Sequence, residues 1–366
     1  MKYSNIKNIR NLGQSIWLDF FDREIMNSGK LDRLIKNDGL SGITSNPSIF
    51  EKAIASGSDY DGDIRALPEI KSDDEAVFFK LAVKDIQRAT DMFALTHEQT
   101  NGEDGFVSLE VSPFLAHDTE STIRQATGLW KSVNRKNVMI KIPGTAEGLP
   151  AIKQCTSEGI NINITLLFGL PRYAEVTEAY ISGLEERLKA GEAIDNIHSV
   201  ASFFLSRIDV LTDPILVHKE LKELKGEVAI ASAKKAYQLY KEIFGSERFK
   251  QLEANGAKRQ RVLWASTSTK DPTFSDVKYV EALIGPETIN TLPLETIDAF
   301  NDHGKVENHL EEDLGNAEEV FVQLKNNGIN INAITQQLED EGIGKFNAAY
   351  SRLLSAIDHK RKAVAR

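Results

Sequence analysis

Three ionisable residues interrupt apolar runs of strand length: Lys141 in Val138-Met-Ile-Lys-Ile-Pro143, Asp19 in Ile16-Trp-Leu-Asp-Phe-Phe21, and Glu110 in Val107-Ser-Leu-Glu-Val111. A free lysine amine titrates near 10.4, so roughly one in 2,500 is neutral at pH 7. A low-dielectric interior disfavours the ammonium and yields the neutral amine that attacks a carbonyl. From its strand alone, Lys141 reads more plainly as a lysine that snorkels to solvent or pairs with an acid. The two carboxylates change that balance. Each lies late in its run, as Lys141 does, and a buried carboxylate is costly without a partner, so the three point to one convergent site. An amine flanked by two acids suits Schiff-base chemistry. Carbinolamine formation and dehydration shuttle protons, and carbon–carbon cleavage needs a base for the β-hydroxyl. An internal ion-pair network is the competing reading of the same residues.

Polar groups recur at other run ends. Gly42-Ile-Thr-Ser-Asn-Pro47 offers Thr44 and Asn46, and Asn46 before Pro47 is also a helix-start signal. Asn161, Asn163 and Thr165 alternate with apolar residues, so they share one face of a strand. That face suits polyhydroxyl recognition if it points inward; otherwise these residues meet solvent. For an anion, Arg207 follows Ser202-Phe-Phe-Leu-Ser206, and Ser266-Thr-Ser-Thr-Lys270 follows a later run. Hydroxyls, backbone amides and a cation after a barrel strand can form a phosphate site, although a Ser/Thr run is commonly only a loop.

These residues need rigid elements to hold them. Short apolar runs at 15–20, 41–44, 106–111, 137–142, 160–165, 198–203, 261–266 and 288–292 alternate with helix-length amphipathic segments. Eight strand signals alternating with helices predict an α/β fold, a single (β/α)8 TIM barrel with additional helices, rather than an open doubly wound sheet. Asp118 and Pro293 mark further helix starts. Residues 58–104 and 208–259 read as helical insertions, the second with a stripe of Ala233, Ala236, Tyr237, Tyr240 and Phe244. C-terminal helices are expected over about 316–362, with Phe346, Tyr350, Leu353, Leu354 and Ile357 on one packing face. With no repeat or proline-rich linker, the chain reads as one domain over 1–366.

Composition removes several function classes. A formal charge of −10 opposes a nucleic-acid-coating role and asks any anionic substrate to find a locally basic pocket. The lone Cys155 excludes an intrachain disulfide. Seven histidines lie scattered without ligand spacing, and neither a phosphate-cradling glycine loop nor a His-Glu-x-x-His motif is present. No run approaches the roughly 18–20 apolar residues of a membrane span. The first ten residues lack an apolar segment, so no secretory signal is expected and the cytoplasm is the expected compartment.

Taken in order, Gly42-Ile-Thr-Ser-Asn-Pro-Ser-Ile49, Val138-Met-Ile-Lys-Ile-Pro-Gly-Thr145, Gly159-Ile-Asn-Ile-Asn-Ile-Thr-Leu-Leu-Phe168 and Ser202-Phe-Phe-Leu-Ser-Arg207 resemble transaldolase over most of the chain. The length, with Leu263-Trp-Ala-Ser-Thr-Ser-Thr-Lys270 and Leu283-Ile-Gly-Pro-Glu287, is similar to a larger bacterial branch. The resemblance implies a (β/α)8 barrel that moves a dihydroxyacetone unit from sedoheptulose 7-phosphate to glyceraldehyde 3-phosphate. The products are erythrose 4-phosphate and fructose 6-phosphate, in the pentose phosphate pathway. It implies Lys141 as the Schiff-base lysine and Asp19 as the acid/base of cleavage. Glu110 with Thr165 would handle a catalytic water. Thr44, Asn46, Asn163 and Ser202 would surround substrate hydroxyls, Phe204 would form an aromatic wall, and Arg207 would bind phosphate. No metal or organic cofactor is implied. Where many members carry Ser-Phe-Arg, this chain has Ser266-Thr267-Ser268 with Lys270 beyond it. Ser266, Ser268 and Lys270 are therefore expected at the phosphate.

Competing functions are a fructose 6-phosphate aldolase, a metal-dependent aldolase or isomerase, and a non-catalytic sugar-phosphate sensor. Monomer and homodimer are equally compatible with the sequence.

Overall fold

The computed structural model describes residues 4–67 and 73–364. Its centre is a closed barrel of eight parallel strands in sequence order: β1 (Gln14–Asp19), β2 (Gly42–Thr44), β3 (Phe106–Glu110), β4 (Val138–Pro143), β5 (Ile162–Leu167), β6 (Ser199–Phe204), β7 (Arg261–Ala265) and β8 (Thr288–Leu292). β1 pairs with β8 to complete the ring. Each strand lies where an apolar run predicts one, because parallel strands covered on both faces must be apolar nearly throughout. The fold is the (β/α)8 barrel.

Strand alternation divides the barrel interior into layers. Trp17, Phe106, Met139, Val200, Leu263, Ala265 and Ile289 form an inner apolar cluster separate from the core under the helices. The Trp17 indole crosses this layer, and it fits because β2 presents Gly42; a Cβ there would lie 2.6 Å from the ring. Two residues further along their strands stand Asp19, Thr44, Lys141, Ser202 and Thr291. The aromatic layer is thus the floor on which the polar layer rests.

The segments 58–104 and 208–259 supply helices to the outer ring. The first holds Asp61–Ala66 and Asp74–Gln99, the latter burying Val77, Phe78, Leu81, Ile86 and Phe93 and packing on β3; residues 68–72 fall outside the described residues. The second holds Val228–Phe244, whose predicted stripe is buried throughout and meets β7. At the C-terminus, Leu314–Asn326 precedes the long helix Ile331–Val364. Phe346, Tyr350, Leu353 and Ile357 of the last helix are buried, while Leu354 is half-buried. Helix starts behave as their sequences suggest: Asn46 Oδ1 accepts from Ile49 N at 3.0 Å, and Asp118 Oδ1 from Ser121 N at 3.0 Å. No helix among the described residues is long and apolar enough to cross a membrane.

Candidate active site

A cavity of about 300 Å³ opens at the carboxyl ends of the strands, the face where barrels of this kind place their chemistry. Asp19, Thr44, Asn46, Lys141, Thr165, Ser202, Phe204, Arg207, Ser266, Ser268 and Lys270 all line it. Glu110 and Asn163 stand directly behind this lining, in contact with Lys141 and Ser202 respectively. The residues named from six strands and three following segments therefore meet at one place.

Lys141 is 5 % exposed, and its Nζ donates to the Ser45 carbonyl at 2.9 Å. Glu110, 6 % exposed, brings Oε2 to 3.5 Å from Nζ. That spacing is an ion pair too long for a hydrogen bond, and both Glu110 oxygens are buried without a hydrogen-bonding partner. Burial raises the Glu110 carboxyl above its ordinary value, with the Lys141 charge opposing. Burial likewise raises the Asp19 carboxyl, against the Lys141 charge and the Thr44 hydrogen bond. The amine is thus faced by two acids that ionise less readily than free ones.

The hydroxyl groups form a ring around this centre. Thr44 Oγ1 donates to Asp19 Oδ1 at 3.0 Å and lies 2.9 Å from Thr291 Oγ1. Asn163 donates to Ser108 Oγ at 3.0 Å and accepts from Ser202 Oγ at 2.7 Å, which fixes the orientation of its amide. Thr165 Oγ1 is buried with no partner. The next residue, Leu166, has φ 62°, and the β5–β6 register shifts between Ile164 and Leu167. Left-handed backbone is unusual for leucine, and a strand irregularity beside a cavity re-aims a side chain. Asn161, the residue immediately before β5, donates to the Lys136 and Val138 carbonyls instead.

The opposite wall is basic. Arg207 opens the helix Ser206–His218; its guanidinium lies 5.7 Å from the Phe204 ring, and Nη1 is buried with no hydrogen bond. Burial lowers its affinity for a proton. Lys270 Nζ donates to Ser268 Oγ at 2.6 Å. Partial desolvation, then the neighbouring Arg207 charge, lower the Lys270 ammonium. Ser266 adopts φ 56°, accepts Ser206 N on its carbonyl at 3.0 Å, and sets its hydroxyl 2.9 Å from Ser206 Oγ. Two cations and several hydroxyls on one wall offer a site for a dianion.

Four contributors lie outside the sequence-based set. Thr291 has the same signal as Thr165, a polar residue on the inward alternation near a strand end. Glu295 follows Pro293 at a helix start and lines the cavity. The Ser45 carbonyl that accepts from Lys141 carries no side-chain signal at all. Phe346 reaches the cavity from the C-terminal helix; its apolar stripe announces a buried face without saying what it covers. No cluster of three His, Cys, Asp or Glu among the described residues could hold a metal ion.

The chain is similar to known proteins over its full length. The family model described as Transaldolase/Fructose-6-phosphate aldolase matches residues 16–357. A protein named transaldolase from Trichodesmium erythraeum is 49% identical over 377 aligned residues, spanning 100% of this chain and 99% of its own. Transaldolase 2 of Nostoc punctiforme is 46% identical with both chains covered in full. A transaldolase of Saccharopolyspora erythraea is 44% identical over 97% of each.

Proposed function

The chain belongs to the transaldolase/fructose-6-phosphate aldolase family, and from that premise we propose that it is a transaldolase working through a Schiff base on Lys141. The observation that carries this is the buried Lys141 amine with Glu110 at 3.5 Å and Asp19 on the same cavity.

In the proposed cycle the Lys141 amine adds to the C2 carbonyl of sedoheptulose 7-phosphate. The carbinolamine loses water, leaving an iminium that serves as electron sink. Asp19 takes the C4 hydroxyl proton, the C3–C4 bond breaks, and its electron pair moves to the iminium nitrogen. Erythrose 4-phosphate leaves, and an enamine of dihydroxyacetone remains on Lys141. That enamine attacks the aldehyde of glyceraldehyde 3-phosphate, Asp19 returns its proton, and water releases fructose 6-phosphate. Glu110 and Thr165 hold and activate the water gained and lost at nitrogen. Their unpartnered oxygens are what a bound water would satisfy. Thr44, Asn46, Asn163 and Ser202 orient the sugar hydroxyls, and Phe204 walls the cavity. Arg207, with Ser266, Ser268 and Lys270, takes the phosphate. The reaction belongs to the pentose phosphate pathway and a cytoplasmic setting.

Borohydride reduction in the presence of fructose 6-phosphate, followed by peptide mapping, tests the nucleophile. The expected adduct lies on Lys141; an adduct on another lysine, or none, overturns the mechanism. Because the family model also covers aldolases, the same preparation is assayed for free dihydroxyacetone. Transfer that depends on an acceptor aldehyde supports the transferase, and steady release of dihydroxyacetone without acceptor supports the aldolase.

A further inference from the structure

Two buried carboxylates one helical turn apart, Asp209 and Asp213, lie on Ser206–His218 just beyond Arg207 and take no part in the chemistry above. Neither caps its own helix; Asp209 reaches across to the next long helix and Asp213 to the turn that precedes it. The helix Val228–Phe244 begins at Glu227 without a side-chain cap, leaving its first N–H groups in need of acceptors. Asp209 Oδ1 accepts from Ala229 N at 2.8 Å, and Asp213 Oδ1 accepts from Gly226 N at 2.9 Å. The second Asp209 oxygen accepts from Tyr279 Oη at 2.7 Å. Tyr279 is carried by Lys278–Ala282, the short helix that ends the connection containing Ser266, Ser268 and Lys270.

One carboxylate therefore joins both segments of the basic wall. It sits two residues from Arg207 and, through Tyr279, holds the segment that bears Lys270. At 2 % exposure it is anchored on both oxygens. Asp213 serves only one neighbour and is further from the cavity. Nearby, Lys225 pairs with Asp271 at 2.6 Å and Lys278 with Glu227 at 3.2 Å, bracing the same connection from outside.

We propose that Asp209 is a positioning residue that sets the spacing of Arg207 and Lys270, and so governs selectivity for phosphorylated over unphosphorylated ketoses. The inference rests on the proposed phosphate role of Arg207. Small displacements of positioning groups are amplified into large losses, yet the Lys141 end shares no hydrogen bond with Asp209 and should be unaffected.

The test compares saturation of borohydride trapping and steady-state KM with fructose 6-phosphate and with fructose, for wild type, Asp209→Ala, Asp209→Asn, Tyr279→Phe and Arg207→Ala. Asp209→Ala is expected to raise KM for fructose 6-phosphate about tenfold, with kcat and half-saturation by fructose changed less than about twofold. Asp209→Asn keeps an acceptor for Ala229 N and a polar partner for Tyr279, and should restore near-normal KM. Tyr279→Phe should show a smaller selective rise, and it carries the test if Asp209→Ala does not fold. Equal losses with both ketoses, a fall in thermal stability alone, or an Asp209→Asn defect matching the alanine variant would overturn the proposal. If Arg207→Ala raises KM selectively and the Asp209 and Tyr279 variants do not, only the positioning role fails. If Arg207→Ala has no selective effect, the phosphate assignment fails with it.

Discussion

The two ends of one barrel both bury charge, and they treat it differently. At the amino ends of the strands, Arg261 pairs with Asp104 at 3.4 Å and donates to Ser15 Oγ at 2.6 Å and the Thr288 carbonyl at 2.7 Å. Asp104 also accepts from Ser15 Oγ at 2.7 Å and Trp17 Nε1 at 3.2 Å. At the carboxyl ends, Glu110 has both oxygens unpartnered, as are Thr165 Oγ1 and Arg207 Nη1. Trp17 lies between them, its indole N–H committed to the lower network. A cavity of about 740 Å³ opens beside that lower network, more than twice the volume of the upper one, so cavity size does not mark the proposed active site. What differs is the hydrogen bonding of the charged groups, although Gln14 Oε1 and Tyr240 Oη beside the lower cavity are also buried without a partner. A network built for stability satisfies its members; one built to receive a substrate leaves acceptors and donors waiting for it.

The sharpest way to break that contrast is to truncate one member at each end. Lys141→Ala is expected to lower kcat by about 10⁴-fold or more and abolish the borohydride adduct, with the thermal midpoint within a few degrees of wild type. Asp104→Ala should do the reverse. It leaves the guanidinium of Arg261 without its carboxylate, a change that costs about 3–5 kcal/mol in buried pairs. A denaturant titration should register that loss while kcat per folded molecule stays within about twofold. A catalytic collapse in Asp104→Ala at unchanged stability would erase the distinction between the ends.

The layer between them offers an intermediate effect. Gly42→Ala places a Cβ 2.6 Å from the Trp17 ring, which is locked by its bond to Asp104 and cannot swing aside freely. Overpacking of this kind costs about 1–3 kcal/mol. Because Trp17 precedes Asp19 by two residues, kcat should fall as well as stability. A stability loss with unaltered kcat would show that the floor and the polar layer are mechanically independent.

How much of this was legible in the sequence follows the same division. Fully buried parallel strands leave an unambiguous trace of apolar runs, and a charge inside such a run is conspicuous, so Lys141, Asp19 and Glu110 could be placed before the fold was known. The apolar run sets β5 two residues early, at 160–165 rather than Ile162–Leu167, and that strand carries the irregularity at Leu166, which no periodicity encodes. The basic wall was harder to read because it lies on a helix start and a connection. The left-handed turn at Ser266 and its contact with Ser206 arise from tertiary packing, not from local preference. Phe346 was out of reach for a related reason, since an apolar stripe predicts burial without naming the partner surface. The additional helices depart from a minimal barrel, yet the stripe at Ala233 to Phe244 does ordinary packing work against β7.

The smallest expected effect tests whether the upper carboxylates are held at a cost. Burial raises the Asp19 carboxyl above its ordinary value of 3.8. Between that value and the raised one, the folded protein keeps a proton that the unfolded chain has released. Stability contributed by this group therefore falls as pH rises through the window, the opposite of a salt-bridged aspartate whose value is depressed. Asp19→Asn removes the titration while retaining an acceptor for Thr44. Its thermal midpoint should exceed that of wild type by a few degrees at pH 8, and the gap should close toward pH 4. The same variant should lose the acid limb of the kcat/KM profile, a limb that in wild type lies above the ordinary aspartate range, because the proposed base acts only once ionised. A pH-independent midpoint difference would mean that the cost of burying Asp19 is fully compensated in the fold. The difference between the two ends would then rest on Glu110, Thr165 and Arg207.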